Sequence, residues 1–207
     1  MNMHLQGQQQ EPKAMTAAQR NKSPICEVLE HVLPAQGIVF EVGSGTGEHA
    51  LHFSESLSHL HFQPSEMHDA ALARLEEHLG DDFGSGILKP VTFDLLQDHC
   101  PLDSVDAMIA INVIHIAPWA ATLALLKEAA RVLPAGAPLF FYGPFHRSDI
   151  ATVESNCAFD AYLRTQNPVQ GLRHLDDVTT HAHDAGFNGP QVIQMPANNL
   201  SVIFTKA

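Results

Sequence analysis

The stretch EVGSGTG at residues 41–47 decides the fold of this chain. It follows an apolar run and precedes a segment with helical periodicity. Glycines at alternate positions let the backbone turn sharply and leave room for a ligand against bare main chain. The helix that follows directs its unpaired N–H groups toward the same place. This pattern predicts a buried strand, a ligand-binding turn and a helix in succession.

The spacing of these glycines argues against two common classes of nucleotide site. A dinucleotide fingerprint would need its third glycine at position 48, where the chain has Glu48, and the Gly-Lys-Ser/Thr end of a phosphate loop is absent. Glu41 would also place a carboxylate beside a pyrophosphate. That carboxylate suits a cationic or zwitterionic ligand better, so we predict neither NAD nor ATP.

Strands and helices alternate along the rest of the chain. Predicted strands cover residues 37–43, 59–66, 89–96, 105–114, 137–145, 191–196 and 200–207. Helical patterns lie between them, and a short turn joins the last two strands. The alternation predicts an α/β, doubly wound, Rossmann-like fold with a seven-stranded, mostly parallel sheet. The final hairpin predicts an antiparallel last strand.

The N-terminal part of the chain contains a polar segment followed by a predicted helix. Residues 1–14 are rich in Gln and lack apolar periodicity, which predicts a flexible N-terminal tail before a single domain at 15–207. Ser23 is a suitable cap and Pro24 suits a first helical turn, so we place the start of the first helix there. Apolar residues then recur at helical spacing until Pro34.

Composition narrows the classes of partner. The 207 residues include 11 basic and 23 acidic side chains, a formal net charge of −12, and no Lys/Arg run offsets this locally. Such a surface repels phosphate backbones, so we expect neither nucleic acid nor an anionic membrane as partner. Three cysteines without a CxxC pair and the lack of a signal-peptide pattern predict a cytoplasmic protein. The oligomeric state stays open.

The pattern E-x-G-x-G-x-G resembles motif I of class I S-adenosylmethionine (SAM)-dependent methyltransferases. The resemblance implies the class I methyltransferase fold, SAM as cofactor and a cofactor-binding role for these motif positions: Glu41, Gly43, Ser44, Gly45 and Gly47. A tight strand–helix turn without a ligand is the alternative. No metal site is predicted, because the histidine pairs lack a recognised ligand spacing.

Three downstream positions match the same family. Glu66, at the end of the second strand, would bind both ribose hydroxyls, Asp94 would receive the adenine amine, and Asn112 would face the methionine part. The alternatives are a solvated charge for Glu66 and a helix cap for Asp94. The chain lacks an Asn/Asp-Pro-Pro-Tyr/Phe motif after the fourth strand, which argues against methylation of DNA bases or protein glutamine.

The resemblance narrows to one family. The blocks AAQRNKSPICEVL, EVGSGTGEHALHF, INVIHIAPW, FFYGPFHR, SNCAFDAYLR, GLRHLDDV and MPANNLSVIF are similar to the uncharacterised family typified by methyltransferase-like protein 26, domain of unknown function family 938. Together they span most of residues 17–206. Membership implies the fold and the cofactor class far better than the reaction.

Five residues are candidates for the acceptor side. His115 follows the fourth strand and is a tentative general base, although its ring could instead bond a loop carbonyl. Trp119 and Tyr142 are candidate acceptor contacts or packing residues, and Arg20 and Asn21 precede the predicted first helix. Arg20 could bind a carboxylate of either the methionine or the substrate, or be solvated. We predict that all five converge on one enclosed pocket.

The segment between the fifth and sixth strands is the usual location of acceptor specificity in such folds. It contains polar residues without individually assigned roles: Asn156, Asp160, Arg164 and Arg173. The leading functional hypothesis is a SAM-dependent methyltransferase acting on a small-molecule acceptor. A non-catalytic module that binds SAM or S-adenosylhomocysteine, or a scaffold with this fold, is the alternative, and an NAD-dependent reductase is disfavoured by Glu48.

Overall fold

The computed structural model of the protein describes residues 15–80 and 86–207, so the predicted tail at 1–14 lies outside the described residues. The helices are Ala17–Val32 (α1), Glu48–Ser56 (α2), Asp69–Leu79 (α3), Trp119–Val132 (α4), Glu154–Gln166 (α5) and Leu175–Asp184 (α6). The strands are Gly37–Val42 (β1), Leu60–Glu66 (β2), Val91–Thr92 (β3), Ala107–Ile111 (β4), Pro138–Gly143 (β5), Phe145–His146 (β6), Arg173–His174 (β7), Phe187–Met195 (β8) and Asn199–Lys206 (β9).

The main sheet has seven strands in the order β3-β2-β1-β4-β5-β9-β8. Its first five members run parallel, and β9 pairs antiparallel with both β5 and β8. This topology confirms the predicted α/β fold and the inserted antiparallel strand. Strand order reverses between β1 and β4, and ligands of open α/β sheets bind at the carboxyl ends of strands at such a switch point. The glycine turn lies at this edge.

Two apolar layers cover the sheet, because the central strands are buried on both faces. Phe40 packs in the layer formed with α4 and α6, whereas Val39 packs in the layer formed with α1 and α2. All five residues of β4 are buried. Of the helices that the described residues form, none has the length and apolar character needed to cross a lipid bilayer.

The first helix begins seven residues earlier than the sequence pattern indicated. Thr16 caps it at Ala17: the Thr16 hydroxyl accepts from the Gln19 backbone N–H at 3.1 Å, and the Gln19 side chain accepts from the Thr16 N–H at 2.9 Å. Pro24 therefore lies inside α1, where it removes one helical hydrogen bond. The prediction of a start at Ser23 is wrong, and the residues expected before the helix lie in its first turns.

The third strand is shorter than the predicted span of residues 89–96. Only Val91–Thr92 pairs with β2, and a single bridge joins Phe62 to Ile87. Pro64 lacks an N–H to donate across this edge, which interrupts the ladder. The Gln63 side chain compensates in part by donating to the Lys89 carbonyl at 2.7 Å.

Candidate cofactor and acceptor site

The glycine turn connects β1 to α2 with three left-handed residues. Gly43, Gly45 and Gly47 have φ values of +65°, +62° and +76°. A Cβ on Gly47 would lie 2.7 Å from the Leu79 side chain, and one on Gly43 would lie 3.1 Å from Val113. A Cβ on Gly45 would meet no described atom within 4 Å. Gly43 and Gly47 therefore permit close packing against neighbouring side chains, whereas Gly45 presents its main chain to open space.

The turn is attached to the end of β2. Ser44 donates its backbone N–H to the Ser65 carbonyl at 2.9 Å, and its hydroxyl accepts from the Ser65 N–H at 3.2 Å. The Gly45 N–H donates to Glu66 Oε1 at 2.6 Å. The structure thus brings together the turn and the acidic residue predicted to bind ribose, and the carboxylate lies beside the open space at Gly45.

Glu41, the penultimate residue of β1, is a buried carboxylate beneath this turn. It is 1 % exposed, and its Oε2 has no hydrogen-bond partner in the part of the chain that the structure describes. Burial raises the pKa of Glu41 to about 7, with a further increase from the Glu66 charge and an opposing effect of Ser44. A buried carboxylate without a partner is costly unless a cation or a hydrogen-bond donor reaches it.

We expect the Glu41→Gln substitution to stabilise the ligand-free protein at pH 8 but not at pH 4.5. The pKa of Glu41 is about 7 in the fold, against an ordinary value of 4.5. Its stability contribution is therefore complete below the ordinary value and is lost as pH rises through 7. The variant avoids that loss, which is on the order of 3 kcal/mol. Thermal unfolding between pH 4.5 and 8 measures this.

The exposed Glu55, changed to Gln, is the matched control for this experiment. It removes the same charge without altering a buried carboxylate, so its effect on the melting temperature should vary little with pH. A stability difference for Glu41→Gln that is the same at every pH would contradict the assignment.

Asp94 follows β3 and caps a turn of its own. Its Oδ1 accepts from the Leu96 N–H at 2.9 Å, and its Oδ2 accepts from the Gln97 side chain at 2.7 Å. This geometry corresponds to the capping alternative. The adenine contact remains a prediction, and a ligand amine would have to share these oxygens with the turn.

A cavity of about 740 Å³ opens beside the ends of β4 and β5. Asn112 borders it with φ +58° and donates its backbone N–H to the Tyr142 carbonyl at 2.8 Å. The other predicted residues on its wall are Arg20, Asn21, His115 and Tyr142. Four of the five acceptor-side candidates therefore share one cavity with a residue predicted to contact the cofactor.

His115 lies in the wall of this cavity with only 2 % of its surface exposed. Its ring packs on Gly143, where a Cβ would come within 2.5 Å of Cε1, and stands edge-on to Phe159 at 6.0 Å. Its Nδ1 has no hydrogen-bond partner among the described residues. Burial, reinforced by the Arg173 charge, lowers the pKa of His115 to about 4. The imidazole is therefore neutral near pH 7.

Helix α1 carries two further cavity residues and is tied to the start of α2. The Asn21 side-chain oxygen lies 2.8 Å from His49 Nε2, and Lys22 forms a 3.1 Å ion pair with Glu48. Burial lowers the pKa of His49 to about 4, so its neutral ring can donate to Asn21. These contacts position the first turns of α1, including Arg20, over the cavity.

Trp119 lies apart from this cavity and corrects the expectation of five converging residues. It is the first residue of α4 and is absent from the described lining. Its ring stands edge-on to His181 at 5.4 Å, and the Arg173 guanidinium lies 6.0 Å from its centre. Trp119 therefore packs at the start of α4, which was the alternative to an acceptor contact.

Part of the cavity wall was not predicted from the sequence. It comes from the β8–β9 connection, where Ala197 and Asn198 have φ values of +56° and +58°, and from Phe159 of α5. Asn156 donates its side-chain N–H to the Asn198 carbonyl at 3.0 Å and so joins these two elements. The Ala-Asn-Asn stretch signals a turn, because Asn tolerates a left-handed backbone, but not which cavity the turn borders.

The remaining polar residues of the insertion brace the loops around the cavity. Arg173 donates to the carbonyls of Ile114, at 2.8 Å, and Ala117, on either side of His115. Asp160 accepts from the Arg164 guanidinium at 2.8 Å and from the Leu172 backbone N–H at 2.7 Å. Both residues hold a loop in place, and neither is among the described residues that line the cavity.

Comparison with known protein families identifies the family of this chain. A family model described as "Protein of unknown function (DUF938)" matches residues 12–206. The chain belongs to this family. The match includes the glycine turn, the segment after β4 and the β8–β9 connection, so the elements described above are all within the family region.

Solved structures resemble this DUF938 chain in fold. A putative O-methyltransferase from Nostoc punctiforme has a TM-score of 0.76 at 14% identity, over 90% of this chain and 56% of its own. Human N-acetylserotonin methyltransferase in complex with SAM has a TM-score of 0.70 at 17% identity, over 92% and 55%. CalO1, a methyltransferase in calicheamicin biosynthesis bound to S-adenosylhomocysteine, has a TM-score of 0.73 at 17% identity, over 91% and 55%. The chain thus spans about half the length of these proteins.

Proposed function

We propose that this DUF938 protein is a SAM-dependent methyltransferase that acts on a small-molecule acceptor. The observation that carries the proposal is the glycine turn at residues 43–47 with the Glu66 carboxylate bound to the Gly45 N–H, directly at the switch point of the sheet. The fold shared with SAM-dependent methyltransferases supports the cofactor class. The adjoining cavity supports a separate place for the acceptor.

The residues at the turn suit the chemical groups of SAM. When bound, SAM supplies a methyl group on a sulfonium sulfur, which is open to in-line attack by a nucleophile. Glu66 would accept hydrogen bonds from the two ribose hydroxyls, because a carboxylate can accept from both. The buried Glu41 would face the ammonium group, and the open space at Gly45 would receive the methionine chain.

The cavity residues would serve the acceptor. The neutral His115 can take the proton that the nucleophile loses, and Asn112 joins the cavity to the switch point. The volume of about 740 Å³ suits a small molecule rather than a polymer. A net charge of −12 also disfavours a polynucleotide. The protein would then contribute alignment and exclusion of water.

Calorimetric titration tests the cofactor assignment. We expect SAM and S-adenosylhomocysteine to bind and NAD, NADP and ATP to give no heat at millimolar concentration. Heat with NAD and none with S-adenosylhomocysteine would contradict the assignment of SAM as the cofactor. Formation of S-adenosylhomocysteine from SAM in the presence of a metabolite pool then separates an enzyme from a module that only binds the cofactor.

His115→Ala is expected to lower turnover on that pool at least tenfold and to leave S-adenosylhomocysteine affinity nearly unchanged. A general base acts on the acceptor and not on the cofactor, which is why the two readouts should separate. His115→Gln preserves much of the side-chain volume and should be equally impaired. Because the pKa of His115 is about 4, wild-type turnover should lose this base only as pH falls through that value. Full turnover in both variants would remove His115 from the reaction.

A further inference from the structure

The charge in the described lining of the cavity has a single sign, and behind the wall the Asp160 carboxylate acts on Arg173. Arg20 is the one charged side chain among its described lining residues, and no Asp or Glu is among them. Arg173 stands behind the wall, and its charge contributes to the lowered pKa of His115. The other polar groups of the lining are amides, hydroxyls and the His115 imidazole, with Asn112 and Tyr142 nearest the sheet.

This local charge is opposite to that of the whole chain, which carries −12. Two different elements supply it, Arg20 from α1 and Arg173 from β7. The Arg20 charge also acts on Tyr142, whose pKa is raised mainly by burial and lowered by this guanidinium. Arg20 is exposed in the ligand-free protein, and a ligand that covers it would exclude water and strengthen the Coulombic interaction, which favours an anion over a cation.

The rest of the lining is suited to an apolar body. Ile116, Phe159, Pro144 and Pro196 form the apolar part of the wall. Ile116 and Phe159 remain 51% and 37% exposed, which leaves apolar surface for a ligand to cover. The cavity thus combines an apolar side with a guanidinium, a group that binds a carboxylate through paired hydrogen bonds.

We propose that the acceptor is a small organic carboxylate, whose anionic group binds Arg20 and whose apolar body covers Ile116 and Phe159 with its nucleophile toward His115. The proposal rests on the methyltransferase function proposed above. A cationic amine would have no counter-charge in the described lining, and a neutral acceptor would leave the Arg20 guanidinium with the uncharged Met15 carbonyl, to which it donates, as its partner among the described residues. The carboxylate of the cofactor itself is the other source of the same chemistry, and the experiment distinguishes the two.

The test uses the full chain saturated with S-adenosylhomocysteine, after its affinity has been measured alone. Matched carboxylate, primary amide and ammonium compounds are then titrated on three bodies: a phenol, an indole and a hexyl chain. We expect one or more carboxylates to bind at least tenfold more tightly than the matching amide, with no binding of the ammonium compounds. Equal affinities, a preference for the amine, or no carboxylate binding would overturn the proposal.

Two variants locate the charge that is responsible. Arg20→Gln should lower carboxylate affinity at least tenfold and leave the amides and S-adenosylhomocysteine unchanged. Lys127→Gln removes the same charge from an exposed position of α4, outside the described lining, and should change none of these affinities.

The same variants separate the two carboxylates. If Arg20→Gln weakens S-adenosylhomocysteine but not 5′-methylthioadenosine, which lacks the amino-acid group, Arg20 binds the cofactor and the acceptor proposal fails. If S-adenosylhomocysteine binds but the titrated compounds show no preference for a carboxylate, the acceptor proposal is contradicted and the proposed methyltransferase function is not. Lack of S-adenosylhomocysteine binding would defeat the proposed function itself, and the acceptor proposal with it.

Discussion

Gly45→Val is expected to abolish S-adenosylhomocysteine binding in a protein that stays folded. The valine side chain would project into the open space beside the turn, where a Cβ meets no described atom within 4 Å. That space is the proposed path of the methionine chain. The left-handed backbone at φ +62° adds strain of about 1–2 kcal/mol for a residue with a side chain. Calorimetry measures the loss of binding, and thermal unfolding shows that the fold persists.

Gly136→Val is the matched control for this experiment. Gly136 has φ +85°, and a Cβ there also meets no described atom within 4 Å, but it lies between α4 and β5. Both variants should lose similar stability, and only the one in the glycine turn should lose binding. Loss of binding in both would attribute the effect to general destabilisation. Retention in Gly45→Val would move the ligand away from the turn.

Glu66→Gln should weaken S-adenosylhomocysteine binding about ten- to a hundredfold, equivalent to roughly 1.5–3 kcal/mol. The amide keeps an oxygen that can accept from the Gly45 N–H, now held at 2.6 Å, so the turn should remain in place. The negative charge is lost, and with it the strengthened bonds to two ribose hydroxyls. Titration of the variant gives the change in dissociation constant.

Asp94→Asn provides the comparison for Glu66. Its carboxylate is already shared with the Leu96 and Gln97 donors, and one ligand amine is at stake, so its effect should be smaller. An unchanged affinity in Glu66→Gln would place the ribose contact elsewhere. A larger loss in Asp94→Asn than in Glu66→Gln would reverse the proposed roles.

The order of strands and helices could be predicted because each depends on a local pattern. The apolar run before Gly43 and the alternation that follows are readable without knowing any distant contact. The start of α1 was misplaced for a local reason of another kind. Thr16 and Gln19 have the spacing of a capping box, and the helix that starts there continues through Pro24, which removes one helical hydrogen bond.

Predicting the acceptor cavity from the sequence would require tertiary contacts, which no local sequence pattern contains. The meeting of His115 and Tyr142 at this cavity could be inferred, because His115 follows β4, Tyr142 is near the end of β5, and these neighbouring parallel strands end at one edge of the sheet. The wall at residues 196–199 depends on where the final hairpin meets α5, a tertiary relationship. Trp119 was misassigned for the same reason, because its contact with His181 joins two helices that are distant in sequence.

The Asn156 hydrogen bond joins α5 to the β8–β9 connection, and both elements are far along the chain from the glycine turn. The glycine turn and its carboxylate partner come from residues 41–66, whereas the far wall of the cavity comes from α5 and the last hairpin. Substitutions in distant, independent positions have nearly additive effects. Duplicated genes for such a chain could therefore diverge in the compound they modify while inheriting the donor site unchanged.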